Sequence, residues 1–230
     1  MDWDIRRFSV IDSTNRWVSR QAAAGAAEGL IAVSDFQSAG RGRRDRRWES
    51  PAGTALLCSV LLQPVLAVDR WPLAGAAVAL AAVAACAGVA PAVPVSLKWP
   101  NDLVVGDAKL AGVLAEAVPG VGAVVVGLGL NLSWSPPGAA RLGAVDRDAV
   151  FGEWMTAMDH LYGDWPAVAA SLRSHCSTLG RQVRVELAGG SFTGRAVDLT
   201  DAGHLVVDTG PTLRTVTAAD VVHLRAVPRK

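Results

Sequence analysis

From Trp71 to Leu97 the chain carries no charged residue. A stretch of that length has to be shielded from water, in a core or in a membrane. Its apolar content is mostly alanine and glycine, and Pro72, Pro91 and Pro94 interrupt its ends. A spanning helix needs about 20 strongly apolar residues, and alanine is near neutral on transfer scales. The stretch therefore predicts a buried core helix, Leu73 to Ala87, followed by a loop, and no membrane partner. Around such a helix, 230 residues with 51% apolar side chains suffice for one large domain, or an ordinary domain with a small appendix.

The remaining composition narrows the class. A formal net charge of +1 argues against a dedicated nucleic-acid binder, which is usually strongly basic. Cys58, Cys86 and Cys176 are far apart and form no Cys-x-x-Cys pair, so neither a disulfide framework nor a zinc site is expected. A reducing cytoplasm is the natural compartment. Met1-Asp2-Trp3-Asp4 is acidic and does not read as a signal peptide.

Apolar periodicity and turn residues place the elements. Arg7–Ile11 alternates like a short strand, and Asp12-Ser13-Thr14-Asn15 offers helix caps before a helix running to Ala26. Leu30–Phe36, Thr54–Leu62 and Ala123–Leu132 read as strands, and Leu103–Val118 as a hairpin turning at Gly106-Asp107. A helical segment spans Asp148–Thr178, broken at Gly163 or Pro166. After Arg181 the texture changes to four short alternating strands: Val183–Leu187, Phe192–Leu199, His204–Asp208 and Leu213–Thr217. They predict a small β-barrel, giving domains 1–178 and 179–230, with the barrel leaning on the larger domain because so few residues stand alone poorly.

Polar clusters sit at the ends of these elements. Between Gly40 and Trp48 lie Arg41, Arg43, Arg44, Arg46 and Arg47. Planar guanidinium forks suit phosphate or carboxylate oxygens, and Gly40 and Gly42 let backbone approach a ligand. A solvated basic loop or a nucleic-acid patch would look the same. Ser13, Thr14 and Asn15 suit a neutral polar ligand, or only cap a helix. Gln37 can make bidentate contact with an amide or ureido group, or merely be exposed. Lys98, Asn101 and Asp102 combine a cation, an amide and a carboxylate, in which Asp102 could take a proton from an amine, help hold Mg²⁺, or make an Asx turn. Lys109, on a strand beside Gly112 and Leu114, could reach an anion or guard a sheet edge. Gly127 and Gly129 inside a strand mark close approach of a ligand or backbone. The four histidines share no motif. Walker and dinucleotide fingerprints are absent.

Four of these clusters, in order, are Gly40-Arg-Gly-Arg-Arg-Asp-Arg-Arg-Trp48, Lys98-Trp-Pro-Asn-Asp-Leu103, Lys109-Leu-Ala-Gly-Val-Leu-Ala-Glu116 and Gly127-Leu-Gly-Leu-Asn131. Together they resemble the biotin protein ligase family, and the resemblance covers essentially the whole chain. It implies an α+β fold: a class II aminoacyl-tRNA synthetase-like catalytic domain, a mixed sheet with flanking helices, followed by an SH3-like β-barrel. It implies that ATP and biotin give biotinyl-5′-AMP, and that biotin then passes to one lysine of a biotin carboxyl carrier domain of a biotin-dependent carboxylase.

Carried over by resemblance, Ser13, Thr14, Asn15, Gln37, Gly40 and Arg41 would grip the ureido ring, and Gly112 and Leu114 would line the biotin slot. Arg41, Arg43, Arg44, Lys98, Asn101 and Asn131 would face the nucleotide, and Trp48 would cover the adenylate. Lys109 would lie near the biotin carboxylate and α-phosphate, and Asp102 would orient or deprotonate the incoming lysine. Catalysis would rest on Arg43, Lys109 and Asp102. Mg²⁺ would be held mainly by ATP phosphates, near Asn131. Asp45 departs from the family glycine and puts a carboxylate among the arginines. With no helix-turn-helix before the catalytic motifs, ligase activity without operator binding is expected. A lipoate or octanoate ligase or transferase of similar fold is the alternative, and it lacks the arginine loop and the Lys-Trp-Pro-Asn-Asp motif.

Overall fold

The computed structural model describes residues 1–44, 46–187, 189–217 and 220–223. Asp45 lies outside them. The chain order is β1 (Asp4–Ile11), α1 (Thr14–Ala23), β2 (Leu30–Gln37), β3 (Ala55–Leu62), α2 (Pro72–Val89), β4 (Val95–Lys98), β5 (Asp102–Val105), β6 (Ala108–Val118), β7 (Ala123–Asn131), α3 (Arg147–Leu161), α4 (Trp165–His175), β8 (Gln182–Leu187), β9 (Gly190–Leu199), β10 (Leu205–Asp208), β11 (Leu213–Val216) and β12 (Asp220–His223). The first seven strands form one sheet in the order β1-β2-β3-β7-β6-β5-β4. Only β1 and β2 pair in parallel, and α1 supplies the crossover that such a pair requires.

Helices cover both faces of this sheet. On one, Val18 and Ala22 of α1 pack on Ala32, Leu61 and Val125. On the other, α2, backed by α3 and α4, buries Leu56, Cys58, Val60, Val126 and Leu128. Strand β3 is therefore buried at every position, which explains its unbroken apolar run although its neighbours are antiparallel. Helix α2 has the sheet on one side and α3 on the other, with Trp154 Nε1 donating to the Val78 carbonyl at 3.2 Å. It is the one described helix long and apolar enough to cross a membrane, and 67% of that stretch is buried inside the protein. An all-round apolar helix is accounted for by burial on all sides.

Some boundaries differ from the sequence reading. Helix α1 ends at Ala23 and not Ala26, and β1 begins at Asp4. The expected break in 148–178 uses both residues: Gly163 adopts φ +101° after α3, and Pro166 sits in the first turn of α4, which Asp164 caps by accepting from Ala167 N at 3.1 Å. Two strands, β4 and β12, are not picked out from the sequence.

The second sheet has the order β11-β10-β9-β8-β12 and fits an SH3-like barrel domain. Its inward residues Val183, Val185, Ala196, Leu199, Leu205 and Val207 belong to the same apolar cluster as α2 and the main sheet. At the junction Trp99 N donates to Thr178 Oγ1 at 3.0 Å and Trp99 Nε1 to the Gly203 carbonyl at 2.9 Å. Arg173 of α4 adds a 2.8 Å bond to the Leu199 carbonyl.

Candidate active site

The register of the main sheet builds the site floor. Directly opposed residues share a face. One row across five strands is Leu57, Gly129, Gly112, Asp102 and Lys98. The next is Ser59, Gly127 and Leu114, and the one after is Leu61, Val125 and Glu116. Helix α1 covers the third row, its first turn reaches the second, and it stops short of the first. Glycines there leave a bare floor, onto which other groups descend. The Trp48 indole lies on the Gly112–Gly129 pair, so closely that a Cβ on Gly129 would meet Trp48 Cε2 at 2.5 Å. At Gly127 an added Cβ would collide with Asn15 Oδ1.

One wall is the start of α1. Ser13 caps the helix by accepting from Arg16 N at 3.5 Å. Thr14 donates to Gln37 Oε1 through both its backbone N (2.8 Å) and its hydroxyl (3.1 Å). A backbone N–H can only donate, so the Gln37 oxygen must face Thr14 and its Nε2 turns away. Ser59 Oγ reaches Thr14 Oγ1 at 2.7 Å and Asn15 Oδ1 at 2.5 Å. Asn15 Nδ2 donates to the Leu114 carbonyl and to Glu116 Oε2. This wall is neutral, polar and buried.

The opposite wall is cationic. Gly42 N donates to the Arg46 carbonyl and Trp48 N to the Gly40 carbonyl, and Arg41 and Arg47 bridge, so residues 40–42 and 46–48 pair as the arms of a short hairpin-like loop. Arg41 Nη1 lies 2.9 Å from Glu116 Oε1, Arg43 Nη1 donates to Asn101 Oδ1 at 2.9 Å, and Arg44, at φ 52°, donates to the Glu186 carbonyl of β8 at 2.9 Å. Asn101 is pinned to β6 by bonds to both backbone groups of Val113. Lys109 Nζ is 2.6 Å from Asp102 Oδ1 and 5.9 Å from the centre of a Trp48 ring. The cavity of about 300 Å³ between the walls is lined by Arg41, Arg43, Arg46, Arg47, Lys98 and Lys109 as cations, with Asp102 and Glu186 as the carboxylates. Cys58 lies beneath the floor, on the α2 side of β3, and burial pushes that thiol up to about 12, leaving it uncharged.

Most residues picked from sequence meet here: Ser13, Thr14, Asn15, Gln37, Arg41, Arg43, Trp48, Lys98, Asn101, Asp102, Lys109, Gly112 and Leu114 all line the cavity. Three stand back from it. Gly40 packs under the Trp48 carbonyl at the base of the loop. Arg44 reaches out to β8. Asn131, 2% exposed, donates to the Ala140 carbonyl, and its buried Oδ1 has no partner among the described residues. The sequence reading misses Ser59 and the barrel residues Glu186, Val221 and Val222, and it includes Glu116 only as the end of a motif, without giving it a role. Ser59 could have been found as the one hydroxyl in the apolar run of β3. The barrel residues carry no such mark. Among the described residues no cluster of three His, Cys, Asp or Glu could hold a metal ion.

A neutral polar recess facing a wall of cations suits a ligase that joins a small acid with an uncharged head to a phosphate donor. The chain belongs to the biotin/lipoate A/B protein ligase family, whose model matches residues 7–132, and a biotin protein ligase C terminal domain matches residues 178–224. It is 37% identical to a biotin–[acetyl-CoA-carboxylase] ligase of Mycobacterium tuberculosis, over 93% of this chain and 86% of the relative. A bifunctional ligase/repressor BirA of Bacillus subtilis is 27% identical, over 92% of this chain and 71% of the relative. A solved biotin protein ligase from Aquifex aeolicus, in complex with biotin and ATP, superposes with a TM-score of 0.81 at 25% identity, covering 97% of this chain and 99% of that one.

Proposed function

We propose that the chain activates biotin with ATP to biotinyl-5′-AMP and then transfers biotin to a lysine of a biotin carboxyl carrier domain of a biotin-dependent carboxylase. The observation that carries this reading is the Lys109–Asp102 pair, set between the neutral recess and the arginine wall. The biotin/lipoate family name covers two acids. The biotin protein ligase C terminal domain and the relatives named for biotin favour biotin over lipoate.

In the first step a biotin carboxylate oxygen bonds to the α-phosphorus of ATP, the bond to the bridging oxygen breaks, and pyrophosphate leaves. Two anions must meet, so positive charge at the meeting point is what lowers the barrier. Lys109 supplies it at the carboxylate, and Arg43 with Lys98 at the phosphates. Gln37 Nε2 and the Ser13–Thr14 turn hold the ureido group. ATP enters as its Mg²⁺ complex. The available donors fit an ion carried mainly by the phosphates, because the cavity is lined by only two carboxylates among the described residues, Asp102, which is paired with Lys109, and Glu186.

In the second step the carrier lysine nitrogen bonds to the biotinyl carbonyl carbon and AMP leaves with the electron pair of the broken acyl–phosphate bond. The attacking amine must be neutral, and Asp102 takes its proton or orients it. Trp48 and the arginine loop exclude water from the mixed anhydride. We place the catalytic unit in residues 1–178, the barrel in 179–230, and the reaction in the cytoplasm. The test is ATP-dependent transfer of labelled biotin to a carrier domain by the wild-type chain. No transfer, or no pyrophosphate exchange dependent on biotin, would sink the reading.

A further inference from the structure

We infer that Glu116 is a positioning residue that fixes the orientation of the Asn15 amide in the recess and ties the arginine loop to it. The inference rests on the biotin-activating role proposed above. Glu116 lies on β6 in the third row of the floor, its side chain 26% exposed. One carboxylate oxygen is 2.9 Å from Arg41 Nη1, and the other accepts from Asn15 Nδ2 at 2.9 Å.

A carboxylate only accepts. Glu116 therefore obliges Asn15 to turn its Nδ2 inward, where the Leu114 carbonyl at 3.2 Å takes the second hydrogen. Asn15 Oδ1 is left facing the Ser59 hydroxyl at 2.5 Å. The hydroxyl proton of Thr14 goes to Gln37 Oε1. The Gln37 oxygen is held toward Thr14 by the Thr14 backbone N–H as well, which leaves Gln37 Nε2 as a donor for the ligand, while Glu116 fixes the Asn15 amide at the other end of the recess. A ureido group has one acceptor oxygen and two N–H donors, so the orientation of these two amides decides whether the recess complements it or opposes it. At the near end, the Arg41 contact anchors the loop that starts at Gln37. Gln37, Thr14, Ser59, Asn15, Glu116 and Arg41 form a closed ring around the loop stem.

Glu116→Gln keeps the size and breaks the ring. The new amide has one oxygen for two donors. Either Arg41 loses its acceptor, or Asn15 turns over and abandons the Leu114 carbonyl. Calorimetric titration of folded E116Q with biotin should show affinity weakened by about tenfold, the scale of one lost charged hydrogen bond. The KM for ATP in pyrophosphate exchange should stay within about twofold of wild type. Loss of a merely structural contact would lower thermal stability and move both constants together. R41A should also weaken biotin, and E116Q/R41A should be no weaker than the worse single variant, since both remove the same contact. Unchanged biotin affinity in E116Q, equal shifts in both constants, or additive losses in the double variant would overturn the role. If E116Q does not fold, R41A decides alone: its side chain is 43% exposed, and unchanged biotin affinity there overturns the inference. Wild-type protein that does not bind biotin would instead refute the proposed activity.

Discussion

The Lys109 ammonium lies 2.6 Å from the Asp102 carboxylate, with side chains 42% and 26% exposed. A pair so open to water contributes little to folding. Its cost in sequence freedom is explained by the site: strands β5 and β6 bring a cation and a carboxylate together at the edge of a floor made of Gly112 and Gly129.

Removing either member should separate the two half-reactions. Lys109→Ala is expected to slow biotin-dependent pyrophosphate exchange by about 100-fold, the usual loss of one transition-state donor. Asp102→Asn should leave exchange within several-fold and slow single-turnover transfer from preformed biotinyl-AMP to the carrier by about 100-fold. Thermal unfolding should move little in both. Equal losses in both half-reactions for D102N would count against its assignment to the second step.

The glycine floor gives a graded test. A Cβ at Gly129 meets the Trp48 indole at 2.5 Å, a rigid neighbour pressed on the strand. At Gly112 the nearest atom is Lys109 Nζ at 3.1 Å, the end of a flexible chain. Gly129→Ala should therefore weaken biotin and ATP binding by tenfold or more, on the order of 1.4 kcal/mol, while Gly112→Ala costs a few-fold. Calorimetric affinities of the two variants check the order, and a larger loss for G112A would contradict the close packing of Trp48.

Alkaline pH should destabilise the fold. Burial pushes the Cys58 and Cys86 thiols up to about 12, from 9.0, and burial with the Glu28 carboxylate raises the Tyr162 hydroxyl as well. A raised pKa in the folded state means that stability is full below the unfolded value and is lost as pH climbs toward the folded one. Chemical denaturation between about pH 9 and pH 12 should show ΔG falling by about 1.4 kcal/mol per pH unit for each such group. Iodoacetamide near pH 8 should leave Cys58 and Cys86 unmodified until the chain is unfolded. A flat profile over that range would argue that these groups are not buried in solution.

The barrel and the main sheet share one core, so they should unfold together. Calorimetry is expected to show a single transition with matching calorimetric and van't Hoff enthalpies. Trp99→Phe keeps an aromatic ring but loses part of the buried indole together with the Nε1 bond to the Gly203 carbonyl, leaving a buried acceptor without its donor. The expected cost is about 1–3 kcal/mol, read from the denaturant midpoint at unchanged slope. Two resolved transitions in wild type would show that the shared cluster does not couple the parts.

Much of this molecule is legible in its residue order. The charge-free run after Trp71 demanded burial, and α2 is buried. The alternation after Arg181 announced a barrel. Motifs at 40–48, 98–102 and 109–116 suggested an anion site by residue type, because guanidinium, ammonium and glycine chemistry is local to the residues that carry it, and an acid-activating site only through their resemblance to a ligase family. Two four-residue strands, β4 and β12, escaped, whereas the equally short β5, β10 and β11 were marked by the turn residues beside them.

Residue types, their spacing and the demand for a core were thus properties of the sequence alone. Which groups face which was decided by strand register. Pairing across β3, β7, β6, β5 and β4 brings Gly129, Gly112, Asp102 and Lys98 into one row, although 31 positions separate Lys98 from Gly129 in the chain. The same pairing puts Ser59 and Glu116 against α1, where each acquires the partners that give it a role. Register depends on hydrogen bonds between distant segments and on helices packed over both faces. No local pattern encodes the contact from Arg41 to Glu116, or from Arg44 to the barrel. Those contacts exist only once the sheet is assembled and α1 leaves part of its face uncovered.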